Sequence, residues 1–431
     1  MLSPDLRERI ISLVKSEVVP AVGCTEPVAV ALAVAKATEM LGQTPANIRV
    51  GLSANMLKNA MGVGIPGTGM IGLPIAIALG ALIGKSSYGL EVLKDVNPDA
   101  VARGKEYIDN DHINIYLDEN APSILFIDVM VTDDKGRSAN AVIAGSHTHF
   151  SRLITPDKVL VDTLAEDTAP STDKNESPVP ELDLHTVWEF ATESPLEELS
   201  FILEARDLNK KAALTAFDEG FGHSLGFTIR TKGARYFGET PLEHMLVYTS
   251  AACDARMAGA VVPVMSNSGS GNQGITATMP IVTFADDINA TEEQLTRALM
   301  LSHLTSIYIK QSLGRLSALC GCVVASTGAS SGLVYLMGGQ FIHVCSAVKN
   351  MIANLTGMLC DGAKPSCAMK IASGVSTAMM SALLAMNNRC VTSSEGIVCE
   401  DVDRTIANLT SIGRDAMRDT DKHVLRIMTS K

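Results

Sequence analysis

Two stretches of the chain, Met61–Gly84 and Leu316–Val348, contain no Asp, Glu, Lys or Arg. Each exceeds the roughly 20 residues that an apolar helix needs to cross a bilayer, so each must be buried in lipid or in protein. The first is broken by Gly62, Gly64, Pro66, Gly67, Gly69, Gly72 and Pro74. The second is rich in Ser, Thr and Gly and holds Gln340 and His343. Neither has the Trp/Tyr girdle or the Lys/Arg asymmetry of a spanning helix. The expectation is therefore buried core helices and loops with no membrane, and the mean hydropathy of +0.20 reflects that core.

The same core is poor in rings. Aromatics make up 4% of the 431 residues, against 46% hydrophobic residues, 34 Gly and 20 Met, which suits closely packed helices around a crevice. A net charge of −12 without any basic run argues against nucleic acid as a partner. The first residues, MLSPDLRERIISLVKSEVV, form a mixed-charge amphipathic pattern with no long apolar region. The nine cysteines then do not read as a secreted disulfide scaffold, and a cytoplasmic setting is expected.

Residues 4–41 read as two helices parted near Pro20, the second opening after Cys24-Thr25-Glu26-Pro27. Ile48–Ala54 reads as a strand, the Gly-rich run to Pro74 as loop, and 74–84 and 88–106 as helices. From about residue 112 the apolar period becomes 2, giving strands at His112–Leu117, Ser123–Val131, Ser138–Ala144, Ser151–Thr155 and Lys158–Val161. AEDTAPSTDKNESPVPELD is a polar, Pro-punctuated linker, and from His185 helical patterns run to the end. The predicted fold class is α+β, a small mixed β domain inserted into a large, mostly α-helical catalytic body. Its parts are N-terminal helices over 1–45, a sheet domain over 46–165, a linker over 166–184 and a helical domain over 185–431.

Cys360 and Cys367 are seven apart with Gly362 and Pro365 between them, so a loop rather than one helix carries both sulfurs. Cys320 precedes Cys360 by forty residues, which fits a helical hairpin returning to the same end. Three thiolates fall short of a closed zinc site. They match a [4Fe–4S] cluster with one iron left open, thiolate being the usual cluster ligand. The alternative is that all three are small buried hydrophobes, the reading given to Cys253, Cys322, Cys345, Cys390 and Cys399.

Longer segments then carry a resemblance: GCTEPVAVALA (23–33), NMLKNAMGVGIPGTGMIGLP (55–74), GSHT (145–148), DARMAGA (254–260), MSNSGSGNQGITATMP (265–280), RALMLSHL (297–304), RLSALC (315–320), MLCDGAKPSCAMK (358–370) and EGIV (395–398). Over nearly its full length the chain resembles the L-cysteine desulfidases, UPF0597-type relatives of the iron–sulfur L-serine dehydratase alpha chain. The resemblance implies a lyase for a small amino acid, with Cys320, Cys360 and Cys367 holding a [4Fe–4S] cluster. Its open iron would act as a Lewis acid on the β-thiolate of cysteine, or the hydroxyl of serine, while a base removes the Cα proton. The enamine released would hydrolyse to pyruvate and ammonia.

Cys24 is the first candidate base, as a thiolate of lowered pKa or a displaceable ligand, with His147 and Lys58 as alternatives. Ser146, His147 and Thr148 resemble the anion loop of serine dehydratases. Ser266, Asn267, Ser270 and Asn272, in a Gly-rich segment, offer donors for a small anion. Asp254 and Arg256 would serve ammonium and carboxylate, or pair with each other. A homo-oligomer, a dimer, is expected. Two other motifs are set aside. Gly62-Val63-Gly64-Ile65-Pro66-Gly67 lacks the strand–turn–helix context of a dinucleotide loop. Gly269–Gly274 with Lys232 resembles a pyridoxal phosphate site, but the helical C-terminal pattern lacks the alternating strands of such folds.

Overall fold

The computed structural model describes residues 2–167, 179–218, 220–314 and 317–430. The chain opens with α1 (Pro4–Glu17), capped by Ser3, whose hydroxyl accepts from the Leu6 N–H, and a short β1 (Pro20–Val22) leads into α2 (Thr25–Leu41). A six-stranded sheet follows, built from β2 (Asn47–Leu52), β5 (Ile113–Leu117), β6 (Phe126–Thr132), β7 (Ser138–Ala144), β8 (Phe150–Ile154) and β9 (Val159–Asp162). A two-residue hairpin, β3 (Gly64–Ile65) and β4 (Met70–Ile71), interrupts the Gly-rich run.

The sheet order is β5-β2-β6-β7-β8-β9, with β2 parallel to β5 and antiparallel to β6. It is thus the mixed sheet expected. Helices α3 (Ala54–Ala60), α4 (Leu73–Leu82), α5 (Pro98–Asp109) and the single turn α6 (Leu164–Asp167) complete this half. The Ala/Val-rich α2 packs on β6, β7 and α4. Its approach to α4 is close: a Cβ on Gly80 would lie 2.7 Å from the Ala31 carbonyl.

One expectation is corrected here. Residues 88–106 form a 3₁₀ turn over Ser86–Glu91 and then α5, not one helix. Gly89 adopts φ +56°, which a continuing helix cannot accept, and Asn97 is held extended before Pro98, where its side chain accepts from the Ala100 N–H at 3.0 Å.

The second half is helical: α7 (Leu184–Glu193), α8 (Leu196–Leu199), α9 (Leu203–Asp218), α10 (Leu225–Thr228), α11 (Ala234–Phe237), α12 (Pro241–Met257), α13 (Gly271–Asp287), α14 (Glu292–Leu313), α15 (Gly321–Leu336), α16 (Phe341–Leu355), α17 (Cys367–Met386), α18 (Val402–Ser411) and α19 (Arg418–Thr429). The short β10 (Pro263–Met265) pairs with β1 and so draws the N-terminal segment against this body. The linker expected over 166–184 lies mostly outside the described residues.

Small residues set the spacing of the body. At Gly332 of α15 a Cβ would come 2.7 Å from the Ala298 carbonyl of α14. The uncharged Leu316–Val348 stretch becomes α15 and part of α16, and Met61–Gly84 becomes the hairpin and α4. Among the described residues one helix, α17, has the length and composition to cross a membrane. It packs on α12, α15 and α16.

Candidate functional site

A cavity of ≈ 960 Å³ lies where the two halves meet. Helices α2, α13, α15 and α17 all begin at its wall, at Cys24, Ser270, Cys320 and Cys367. They are 16–20 residues long, and of the four only α13 has a side-chain cap, the Ser270 hydroxyl accepting from the Gln273 N–H at 3.3 Å. Uncapped first turns present free N–H groups, and each macrodipole adds roughly half a positive charge at that end. Six basic side chains line the cavity against two acidic ones, Glu26 and Asp421. A chain of net charge −12 has thus gathered positive charge around this cavity, buried at Arg256 and Lys310 and exposed at Arg414, Arg418 and Lys422, which suits an anion.

The three proposed ligand cysteines reach this wall as the spacing predicts. Helices α15 and α16 form a hairpin that brings Leu359 opposite Leu319. The Cys320 N–H donates to the Met358 carbonyl at 3.0 Å, and the Cys360 N–H to the Ala318 carbonyl at 2.7 Å. Gly362, at φ +90°, then turns the Cys360–Cys367 loop hard against α3, where a Cβ would run into the Lys58 carbonyl. Lys370, in the first turns of α17, ties the loop down by pairing with Asp361 and donating to the Leu359 carbonyl at 3.0 Å.

Contact with Cys322, then burial, pushes the Cys320 thiol up to about 12. Contact with Cys320 and burial push Cys360 well above its ordinary value, and burial raises Cys367. Crowded, buried thiols under positive helix ends are what a cationic metal centre would convert to thiolates. Among the described residues no three His, Cys, Asp or Glu side chains close on one point as ligands of a single ion would.

Cys24 also lines the cavity, but its thiol donates to Glu26 Oε2 at 2.8 Å. Burial, then the Glu26 charge, push it well above the ordinary thiol value, and Arg256 opposes them only in part. The lowered pKa expected at Cys24 is therefore not found. Arg256, 4% exposed, donates from Nη1 to Asn272 Oδ1 at 3.0 Å and from Nη2 to the Gly23 carbonyl at 3.1 Å. Its buried Nε has no partner. Ser146, His147, Ser270 and Asn272 line the same cavity.

Five expected site residues do not. Lys58 is buried in an ion pair with Asp421 and donates to the Cys360 carbonyl at 3.4 Å, so it braces the Cys360–Cys367 loop and is not placed as a base. Asp254 accepts from the Gly226 N–H at 3.1 Å at the head of α10 and does not pair with Arg256. Burial pushes its carboxyl up to about 6. The Ser266 hydroxyl donates to the Val19 carbonyl at 2.6 Å, and Asn267 donates to His303 Nδ1 at 3.1 Å; both sit behind the wall and fix the α13 loop. Thr148 is exposed on the β7–β8 turn. Lys232 is exposed and also away from the cavity, which leaves the pyridoxal reading without its lysine.

Sequence reasoning gave no role to Glu26, Asn55, Gln273, Cys322 or Lys370, all of which line the cavity. A charge in the Ala/Val-rich α2 was the available signal for Glu26.

A family model described as serine dehydratase alpha chain matches residues 87–426. Among curated relatives, a UPF0597 protein of Phocaeicola vulgatus is 60% identical, covering 100% of this chain and 99% of its own. One of Bacteroides thetaiotaomicron is 60% identical over 99% and 98%, and one of Porphyromonas gingivalis is 53% identical over 100% of both. These names specify no substrate. The match supports an enzyme of the amino-acid dehydratase or lyase kind. With full-length relatives at this identity and most of its length matched, the chain belongs to the serine dehydratase alpha-chain family, among its UPF0597 members.

Proposed function

We propose that the chain is a cytoplasmic β-elimination lyase that converts L-cysteine to pyruvate, ammonia and hydrogen sulfide. The carrying observation is that Cys320, Cys360, Cys367, Cys24 and Arg256 line one cavity at the uncapped ends of long helices. Cys320, Cys360 and Cys367 would hold a [4Fe–4S] cluster, which when bound supplies Lewis acidity toward the substrate's β-substituent.

The remaining chemistry falls to the chain's own groups. Arg256 and the head of α13 hold the substrate carboxylate, with Ser270 and Asn272 fixing its direction. Burial and Glu26 keep Cys24 a neutral thiol, a poor base, and added negative charge nearby keeps it so. His147, on the turn after β7, is then the better acceptor for the Cα proton, and Cys24 the better donor to the departing product. Lys58 and Lys370 position the ligand loop. Exposed Met380, Leu383 and Leu384 on α17 support a homodimer, which light scattering would show as twice 45.6 kDa.

The test is turnover by anaerobically isolated protein. Sulfide release from L-cysteine faster than ammonia release from L-serine is expected. The reverse order would make the chain a serine dehydratase, and turnover of neither would overturn the lyase reading.

A further inference from the structure

An amino-acid substrate is a zwitterion, so a site that holds its carboxylate must also offer acceptors for the ammonium group beside it. Asp254, the acid nearest Arg256 in sequence, does not line the cavity. Of the two carboxylates that do, Asp421 is paired with Lys58 and Glu26 is not, and Asn55 adds an amide oxygen. Glu26 is 9% exposed, and its Oε2 takes the Cys24 thiol at 2.8 Å and the Thr25 hydroxyl at 3.3 Å. No described residue donates to its Oε1. Asn55, at the start of α3, has a buried Oδ1 with no hydrogen-bond partner. Arg256 Nη2 holds the Gly23 carbonyl at 3.1 Å, so the guanidinium sits against the backbone that carries Cys24 and Glu26.

Among the described residues that line the cavity, Arg256 Nε is a buried donor and Asn55 Oδ1 a buried acceptor without a hydrogen-bond partner. Leaving such groups unmade is unfavourable unless a ligand completes them. In chemical type the donor suits a carboxylate and the acceptor an ammonium, the two charged groups of an amino acid. Without Glu26 and Asn55 the surrounding helix ends would repel a cation.

We infer that Glu26 and Asn55 form the ammonium subsite of this cavity and restrict it to substrates with a free α-amino group. The inference rests on the lyase reading and names the specificity determinant within it. Carboxylates lacking nitrogen, and N-acylated amino acids, are excluded because their α-substituent cannot donate to both acceptors. Glu26 is a binding residue here; the Cα proton goes elsewhere.

The test uses probes that cannot react: L-alanine, with no leaving group, and propionate, with no ammonium. Their binding to the anaerobically isolated protein is measured by calorimetry, and turnover of L-cysteine is measured on the same samples. Wild type should bind L-alanine about 10- to 150-fold more tightly than propionate, the range for a lost charge-assisted contact. Glu26→Gln and Asn55→Ala should each reduce that preference about tenfold while leaving propionate affinity within about threefold, which also shows that the cavity is folded. Retained preference in both variants, or equal binding of the two probes by wild type, overturns the subsite and leaves the lyase reading intact if L-cysteine is turned over. Binding of neither probe together with no turnover overturns both.

Discussion

Replacing Arg256 by Lys isolates the carboxylate contact, because it keeps the charge and removes the fork. Arg256 spends one Nη1 hydrogen on Asn272 Oδ1 and one Nη2 hydrogen on the Gly23 carbonyl, and Nε is the guanidinium nitrogen without a partner. A lysine ammonium is a compact charge on a flexible stem and cannot span both internal acceptors while presenting a third donor. One charge-assisted hydrogen bond to a carboxylate contributes about 1.5–3 kcal/mol. At about 1.4 kcal/mol per tenfold change, KM for L-cysteine should rise roughly 10- to 150-fold. The contact is made equally in the ground and transition states, so kcat should change much less. The assay is sulfide release under anaerobic conditions over a range of L-cysteine, with circular dichroism and iron content as controls. A folded, iron-bearing Arg256→Lys protein whose KM stays within about threefold of wild type would refute the assignment.

Two further outcomes follow from the geometry. Gly362→Ala places a Cβ against the Lys58 carbonyl at φ +90° and should disturb the Cys360–Cys367 loop by about 1–3 kcal/mol, seen as lower iron content and a lower Tm; unchanged iron and Tm would show the loop to be looser than its packing implies. The Asp254 carboxyl, raised from 3.8 to about 6 by burial, binds its proton more tightly in the folded protein than in the unfolded one. Its contribution is therefore full below about pH 4 and lost as pH rises to about 6. Urea titrations across that window should show a decline that Asp254→Asn flattens, and parallel profiles would remove Asp254 from the account.

The cysteine geometry was legible in the sequence because it follows from chain connectivity. A forty-residue interval whose one charge is Lys349, broken once before Gln340, returns a helical hairpin to its start, and Pro365 keeps Cys360 and Cys367 off one helix. The strands were legible for a similar reason: alternation from Ile127 to Thr132 admits one pleat. What stayed hidden were side-chain directions. Asp254 and Arg256 both belong to the motif DARMAGA, yet residues two apart on a helix do not share a face. One therefore enters the cavity and the other caps α10. Lys58 read as an alternative base, and the partner that ties it up, Asp421, lies 363 residues away. Glu26 and Asn55 acquire meaning only when α2 and α3 are placed at one wall. The hairpin β3–β4 is two residues a side, too short for any period to mark it.

The account's central claim is that Cys320, Cys360 and Cys367 jointly hold an iron–sulfur cluster. Iron and acid-labile sulfide, measured on anaerobically purified wild type and on three single Ala variants, test it most directly. About four irons and four sulfides per chain in wild type, lost with sulfide release in Cys320→Ala, Cys360→Ala and Cys367→Ala but kept in Cys345→Ala, is the predicted result. An iron-free wild type that still turns over L-cysteine, or full iron in any one of the three variants, would contradict it.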